Sequence, residues 1–159
     1  MSRVLAIDCE MVGSGNRSLL ARVTIVNEYG SVVLDEYVKP TAAITDYRDC
    51  YSGINKRDLE NGSDFSVVRN KVANLINGCT LVGHSLQFDL DALNLSHPES
   101  KRRDLATYEP LTRTNGGQPV ALKTLASKYL GRIIQDGEHN SAEDAKACMD
   151  LYRKYSYNW

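Results

Sequence analysis

Residues 4 to 9, Val4-Leu5-Ala6-Ile7-Asp8-Cys9, are an almost continuous apolar run, at whose end stand two carboxylates separated by one residue, Asp8 and Glu10. Such a run is the pattern of a central strand covered on both faces. Outward from it, residues 20 to 27 (LARVTIVN) alternate more regularly and stop at Tyr29-Gly30, a turn. Residues 32 to 38 (VVLDEYV) resume the extended pattern until Pro40 interrupts it. Three strands joined by short turns predict an antiparallel meander.

Helical signals follow. Ser63 is expected to N-cap a helix over residues 64–77, with Val67, Val68, Val72, Leu75 and Ile76 on one stripe and Gly78 as the stop. Residues 79–83 (CTLVG) read as a short strand, followed by a helix over about 88–93. Residues 121–130 (ALKTLASKYL) place Leu122, Leu125, Ala126 and Tyr129 on one face, with Gly131 as C-cap. The last helix is expected from Ser141, its N-cap, to about Tyr155, burying Ala145, Cys148, Met149 and Tyr152. A meander followed by alternating strands and helices predicts an α/β protein: a mixed sheet, antiparallel meander plus parallel strands, flanked by helices in a single domain over residues 1–159.

Composition narrows the class. The 159 residues are 42% apolar and 25% charged, ordinary for a globular domain, and such a length needs no disulfide or metal staple. Nineteen Lys and Arg against twenty Asp and Glu give a net charge of -1, so any surface for a polyanion must be a local patch. The cysteines (Cys9, Cys50, Cys79, Cys148) form no CxxC pair, which excludes a zinc ribbon and a thioredoxin-type site. The opening MSRVLAIDCEM breaks its apolar run too early for a secretory leader, and no run approaches the ~20 residues of a membrane span. An intracellular, reducing location follows as an expectation, with nucleus or nucleolus and cytoplasm both open.

Asp8 and Glu10 project from the same face of the first strand, because side chains alternate with period two. Two such carboxylates repel each other and resist burial unless a cation or proton lies between them; otherwise the strand has emerged and both are solvated. Asp89 opens a helix, where the dipole alone favours a carboxylate, and Asp91 competes with it for any functional role. Asp144 matches the capping pattern S-x-x-[DE] from Ser141, and His139 is either a loop residue in solvent or part of a site.

Taken in order, DCEMVG (8–13), VGHSLQFDLDAL (82–93) and HNSAEDAKACMDLY (139–152) resemble the DEDDh family of 3′-to-5′ exonucleases, in its eukaryotic RNA exonuclease branch. Further similarity lies in LARVTIVN (20–27), ITDYRDCYSGI (44–54) and LKTLASKYLG (122–131). The resemblance implies a ribonuclease-H-like fold and two Mg²⁺ or Mn²⁺ ions held by Asp8, Glu10, Asp89 and Asp144, with His139 taking the proton of the attacking water. The implied partner is single-stranded RNA, with single-stranded DNA as a second candidate. Alternatives are a DNA-directed exonuclease of repair or proofreading type and an inactive nucleic-acid-binding module. The sequence departs from close relatives at Phe88, where a more polar residue often precedes the Asp.

Three further residues are candidates for substrate binding. Met11 could pack on a terminal base or in the core, and Arg48 could reach a phosphate or a ribose 2′-hydroxyl or lie in solvent. His84 is a substrate contact or a hydrogen-bonded residue at a strand end rather than a metal ligand, since carboxylates already fill that role. Lys101-Arg102-Arg103 is the densest basic run, an electrostatic funnel or a solvated turn.

Overall fold

The computed structural model describes residues 2–48 and 52–159; Cys50 and residues 49–51 of the 44–54 segment lie outside the described residues. Strands β1 (Val4–Ser14), β2 (Arg17–Asn27) and β3 (Val32–Tyr37) form the expected antiparallel meander. Two short helices, α1 (Lys56–Glu60) and α2 (Phe65–Ile76), lead into β4 (Thr80–Gly83) and α3 (Leu86–Ala92). After β5 (Arg102–Asp104) come α4 (Glu109–Thr112), α5 (Leu122–Leu125) and the long terminal helix α6 (Ser141–Tyr155). Sheet order is β3-β2-β1-β4-β5, with β4 parallel to both β1 and β5. The mixed sheet read from the sequence is therefore the observed one.

Alternation along β1 feeds two cores. Leu5, Ile7 and Cys9 face Val68, Val72 and Ile76 of α2 and Leu86 and Leu90 of α3. Ala6, with Val26 and Val82, faces Leu125, Ala145, Cys148 and Met149. Each large side chain enclosed this way contributes roughly 1.5–3 kcal/mol. Positions 8 and 10 continue the Ala6 face, so the sequence carries its carboxylates onto the α6 side of the sheet.

Several local readings change. Ser63 does not cap α2: its N–H and C=O pair with Tyr37 and Lys39 beyond the end of β3, and Asp64 takes the cap position. Val67 turns out exposed, while Val68, Val72 and Ile76 are buried. Asn140, not Ser141, caps α6, its side chain accepting from Ala142 and Glu143 N–H groups. Residues 126–130 continue α5 as a π-helical turn that ends at Gly131 in the left-handed region (φ 60). β1 runs on to Ser14, past the residue-9 end read from its apolar run, because β2 keeps pairing with it after β4 has stopped.

Strand β5 and helix α1 have no apolar signature. β5 is three half-buried polar residues paired in parallel to β4, and α1 rests on a capping box between Asn55 and Asp58.

Candidate active site

The parallel pairing of β1 and β4 ends at Ala6–Val82, so Asp8 and Glu10 lie beyond the last rung on that side. This crevice at the carboxyl ends of parallel strands is where open α/β sheets place their sites. On the other side β1 stays paired, Asp8 opposite Thr24 and Glu10 opposite Arg22, until the register shifts between Glu10 and Met11. Such an irregularity re-aims the side chains that follow it.

Asp89 reaches the cluster from α3. The chain turns sharply through Ser85, in the left-handed region (φ 60), and the Asp104 carboxylate at the end of β5 accepts from Ser85 N–H (2.8 Å) and Leu86 N–H (3.0 Å). Gly83 packs tightly there: a Cβ would lie 2.5 Å from Leu86 Cδ2 and would have to displace that buried side chain. The helix so aimed places Asp89 Oδ1 3.0 Å from Cys9 N–H, which donates to it, at 4% exposure. Asp91, the competing carboxylate, is exposed and accepts from Gln87 at 2.7 Å.

Asp144 lies on the first turn of α6 and is 2% exposed. The capping role open to it in the sequence is not used. The Ser141 hydroxyl is bonded to Thr24 (2.7 Å), Asp144 Oδ2 accepts from Gln135 Nε2 (3.0 Å), and Asp144 Oδ1 is buried with no hydrogen-bond partner. His139, half-buried in the loop before α6, completes a group with Glu10 and Asp144 whose ligand atoms all lie within 4.8 Å of one another.

The electrostatics follow from that crowding. Desolvation, then the charges of Asp89, Asp144 and Glu10, raise the Asp8 pKa well above the ordinary carboxylate range, although part of its surface faces the crevice. Desolvation and Asp144 push Glu10 up to about 8, against the opposing pull of Arg22. Asp89 rises to about 8 through desolvation, partly offset by its bonds from Cys9; Asp144 rises to about 6 by the same cause, offset by Gln135. Burial and the Lys123 charge lower the His139 pKa.

Carboxylates raised in pKa by burial and by one another's charge, and a buried oxygen with no donor, are conditions that a cation relieves. Oxygen donors with one imidazole suit a hard divalent metal, so the residues fit one. The thiols stay out: Cys9, Cys79 and Cys148 are buried and unpaired, and burial raises Cys9 and Cys148 well above the usual thiol range.

Of the substrate-binding candidates, Met11 and Arg48 line one cavity of about 480 Å³ with Arg17, Ser18, Phe88, Asp91 and Ala92. Met11 also packs on the core below, so both of its readings hold at once. Arg48 is tethered, donating to Ser18 Oγ at 2.8 Å from a left-handed backbone (φ 52). His84 Nε2 is 2.7 Å from the Val120 carbonyl, the strand-end hydrogen bond weighed for it. The basic run is occupied locally: Lys101 and Arg103 donate to backbone carbonyls, and Arg102 to His97 O and Gln87. Sequence reading missed Gln135 and Asp104, which lie outside the quoted segments, and Arg22 and Lys123, which lie within LARVTIVN and LKTLASKYLG without standing out there; Phe88, flagged only as a departure, is 68% exposed at the cavity.

Sheet and crevice give the chain the ribonuclease-H-like architecture of exonuclease domains. The chain belongs to the exonuclease family, whose model matches residues 5–152. It is 46% identical over 163 residues to RNA exonuclease 4 of Mus musculus, covering all of this chain and 38% of that protein. Against RNA exonuclease 4 of Mycosarcoma maydis the identity is 48% over 160 residues, covering 98% of this chain and 43% of that one. The chain thus spans about two fifths of the length of these relatives. Among solved structures, the Neurospora crassa Pan2 catalytic unit superposes with a TM-score of 0.87 at 29% identity, covering 98% of this chain and 27% of that chain. The Saccharomyces cerevisiae Pan2 pseudoubiquitin hydrolase–RNA exonuclease module in complex with AAGGAA RNA superposes at 0.86 and 34% identity, covering 98% and 29%. Among the described residues no helix is long and apolar enough to cross a membrane.

Proposed function

We propose that residues 1–159 act as one metal-dependent exonuclease domain that hydrolyses single-stranded RNA from its 3′ end to nucleoside 5′-monophosphates, with single-stranded DNA as a weaker substrate. The observation that carries this reading is the convergence of Asp8, Glu10, Asp89 and Asp144, with the His139 ring beside Glu10 and Asp144, in the crevice beyond the carboxyl end of β4. Those four acids would hold Mg²⁺ or Mn²⁺. When bound, two such ions neutralise the scissile phosphate and ease both water ionisation and departure of the 3′-alkoxide.

The chain's own residues do the rest. A ring nitrogen of His139 takes the proton from the attacking water, and its lowered pKa keeps the imidazole neutral and able to accept at neutral pH. Met11 and Phe88 offer the apolar surface that a terminal base needs for stacking, and Arg48 supplies donors to ribose or phosphate. His84, held on Val120, steadies the turn into α3 at the edge of the cleft. RNA rather than DNA as the main substrate is supported by the name of the relatives and by the RNA in the Pan2 complexes.

The test is a single-stranded RNA and its DNA equivalent labelled at the 5′ end, incubated with Mn²⁺, Mg²⁺ or chelator. A ladder shortening from the 3′ end on RNA, lost in chelator and in Asp8→Asn, is expected. Internal cuts, or cleavage surviving excess chelator, would overturn the reading.

A further inference from the structure

Gln135 lies in the loop between Gly131 and α6 with φ 55, a left-handed conformation that non-glycine residues seldom adopt. The same loop uses glycine at its other left-handed positions, Gly131 (φ 60) and Gly137 (φ 88). If the backbone were all that mattered at 135, glycine would serve there without strain. What the side chain adds is one bond: Nε2–H to Asp144 Oδ2 at 3.0 Å. The direction is fixed chemically, because an ionised carboxylate only accepts. With Oδ2 so engaged, the other oxygen, Oδ1, is buried and lacks any donor. The next buried side chain back along the loop, Ile134, is fully enclosed in the core and fixes the position from which the amide reaches out.

We propose that Gln135 is a positioning residue for metal binding: it clamps one oxygen of Asp144 so that the other is presented, stripped of water, to a divalent cation beside Glu10. This rests on the exonuclease reading only in taking Asp144 as a metal ligand. A carboxylate with both oxygens undirected would have to be ordered by the cation itself, and losing such an outer partner typically weakens metal affinity on the order of 10- to 100-fold. The strained backbone at 135 is then the conformation that brings the amide within reach of α6.

Two variants separate this role from a structural one. Gln135→Met keeps length but has no donor; Gln135→Gly removes the donor and relieves the backbone. Mn²⁺ is titrated calorimetrically into each protein without RNA, and thermal midpoints are taken in chelator. Weaker Mn²⁺ binding by about 10- to 100-fold is expected in both variants, with the chelated Gln135→Gly protein at least as stable as the parent. In the cleavage assay the Mn²⁺ concentration for half-maximal rate should rise while the rate at saturating Mn²⁺ stays within a few-fold. Parent-like affinity in both variants overturns the proposal, as does a loss of affinity that tracks a loss of apo stability in both, or a parent that binds no Mn²⁺. A parent that binds Mn²⁺ in this way yet cleaves no RNA would sink the exonuclease reading and leave the clamp standing.

Discussion

Thr24 on β2 and Ser141, the first residue of α6, share a hydrogen bond of 2.7 Å between side-chain oxygens, although they lie 117 residues apart and are both fully buried. Thr24 gives its own proton to Asp35 Oδ1 at 3.1 Å, so Ser141 must donate to Thr24. Asp35 is also gripped by Arg22 at 2.9 and 2.8 Å. A directed chain therefore runs from the start of α6 to β3, passing under the strand positions opposite Asp8 and Glu10. It fixes the helix turn that carries Asp144 against β2, the strand paired with the one that carries Asp8 and Glu10.

That direction predicts unequal losses. Ser141→Ala leaves Thr24 bonded to Asp35 and removes one buried bond, about 1 kcal/mol. Thr24→Val orphans the buried Ser141 hydroxyl and takes a donor from Asp35, and should cost more, about 1–3 kcal/mol. Urea denaturation of the two single variants measures this; equal losses would mean that the bonds do not form a chain.

The metal-free protein should lose stability as pH rises. Glu10 and Asp89 have folded-state values of about 8 against ordinary values of 4.5 and 3.8, and Asp144 about 6 against 3.8. A group with a raised folded pKa binds its proton more tightly when folded. Stability is therefore greatest below the ordinary values and falls as pH climbs through about 6 and then about 8. Thermal midpoints in chelator from pH 4.5 to pH 8.5 should decline, Asp89→Asn should decline less, and Mn²⁺ should restore the parent at the alkaline end. A flat parent profile would show that the acids are already compensated within the protein.

Much of this cluster was legible because its acidic residues sit in local patterns. The apolar run before Asp8 marks a central strand, and period two puts Glu10 on the same face. Where the Asp89 and Asp144 carboxylates come to lie depends on partners distant in the chain: Cys9 is 80 residues from Asp89, and Thr24 is 117 residues from Ser141. Ser141 is not the cap because it is already the first helical residue, with its side chain turned towards Thr24, while Asn140, in extended backbone, accepts from the Ala142 and Glu143 N–H groups. β5 escaped because two arginines and an aspartate carry no apolar alternation, and only parallel pairing beside β4 makes them a strand. Gln135 has no sequence signal at all; its role exists only in a left-handed loop conformation.

Substrate discrimination should divide between two residues at the 480 Å³ cavity. Arg48→Ala should slow RNA more than DNA of the same sequence if its guanidinium, held out by Ser18, meets a ribose hydroxyl. Phe88→Ala should raise KM on both polymers alike, because stacking ignores the sugar, by roughly 1–3 kcal/mol of binding. Paired kinetics on matched oligonucleotides checks both, and an Arg48→Ala protein with an unchanged RNA-to-DNA ratio would return that residue to a tether for Ser18.

The pH dependence of cleavage is the most exposed prediction. His139 accepts a proton only when neutral, so the rate should rise with pH through its pKa and then level off. The ordinary value of 6.5 is not the expected midpoint, because burial and the positive charge of Lys123 both disfavour the imidazolium. The rising limb should lie below pH 6.5 in single-turnover cleavage at saturating Mn²⁺. Lys123→Gln removes one of the two causes and should move the limb back towards the ordinary value, while burial keeps it from returning fully. His139→Ala should bind RNA normally, lose about 10²- to 10⁴-fold in rate and lose that limb altogether. The double variant, Lys123→Gln with His139→Ala, should then be insensitive to the lysine, since the charge would have no imidazole left to act on. A limb that still shifts in the double variant would mean that Lys123 acts on the acids or on the RNA, and near-parent turnover by His139→Ala would show that the reaction needs no base from the protein.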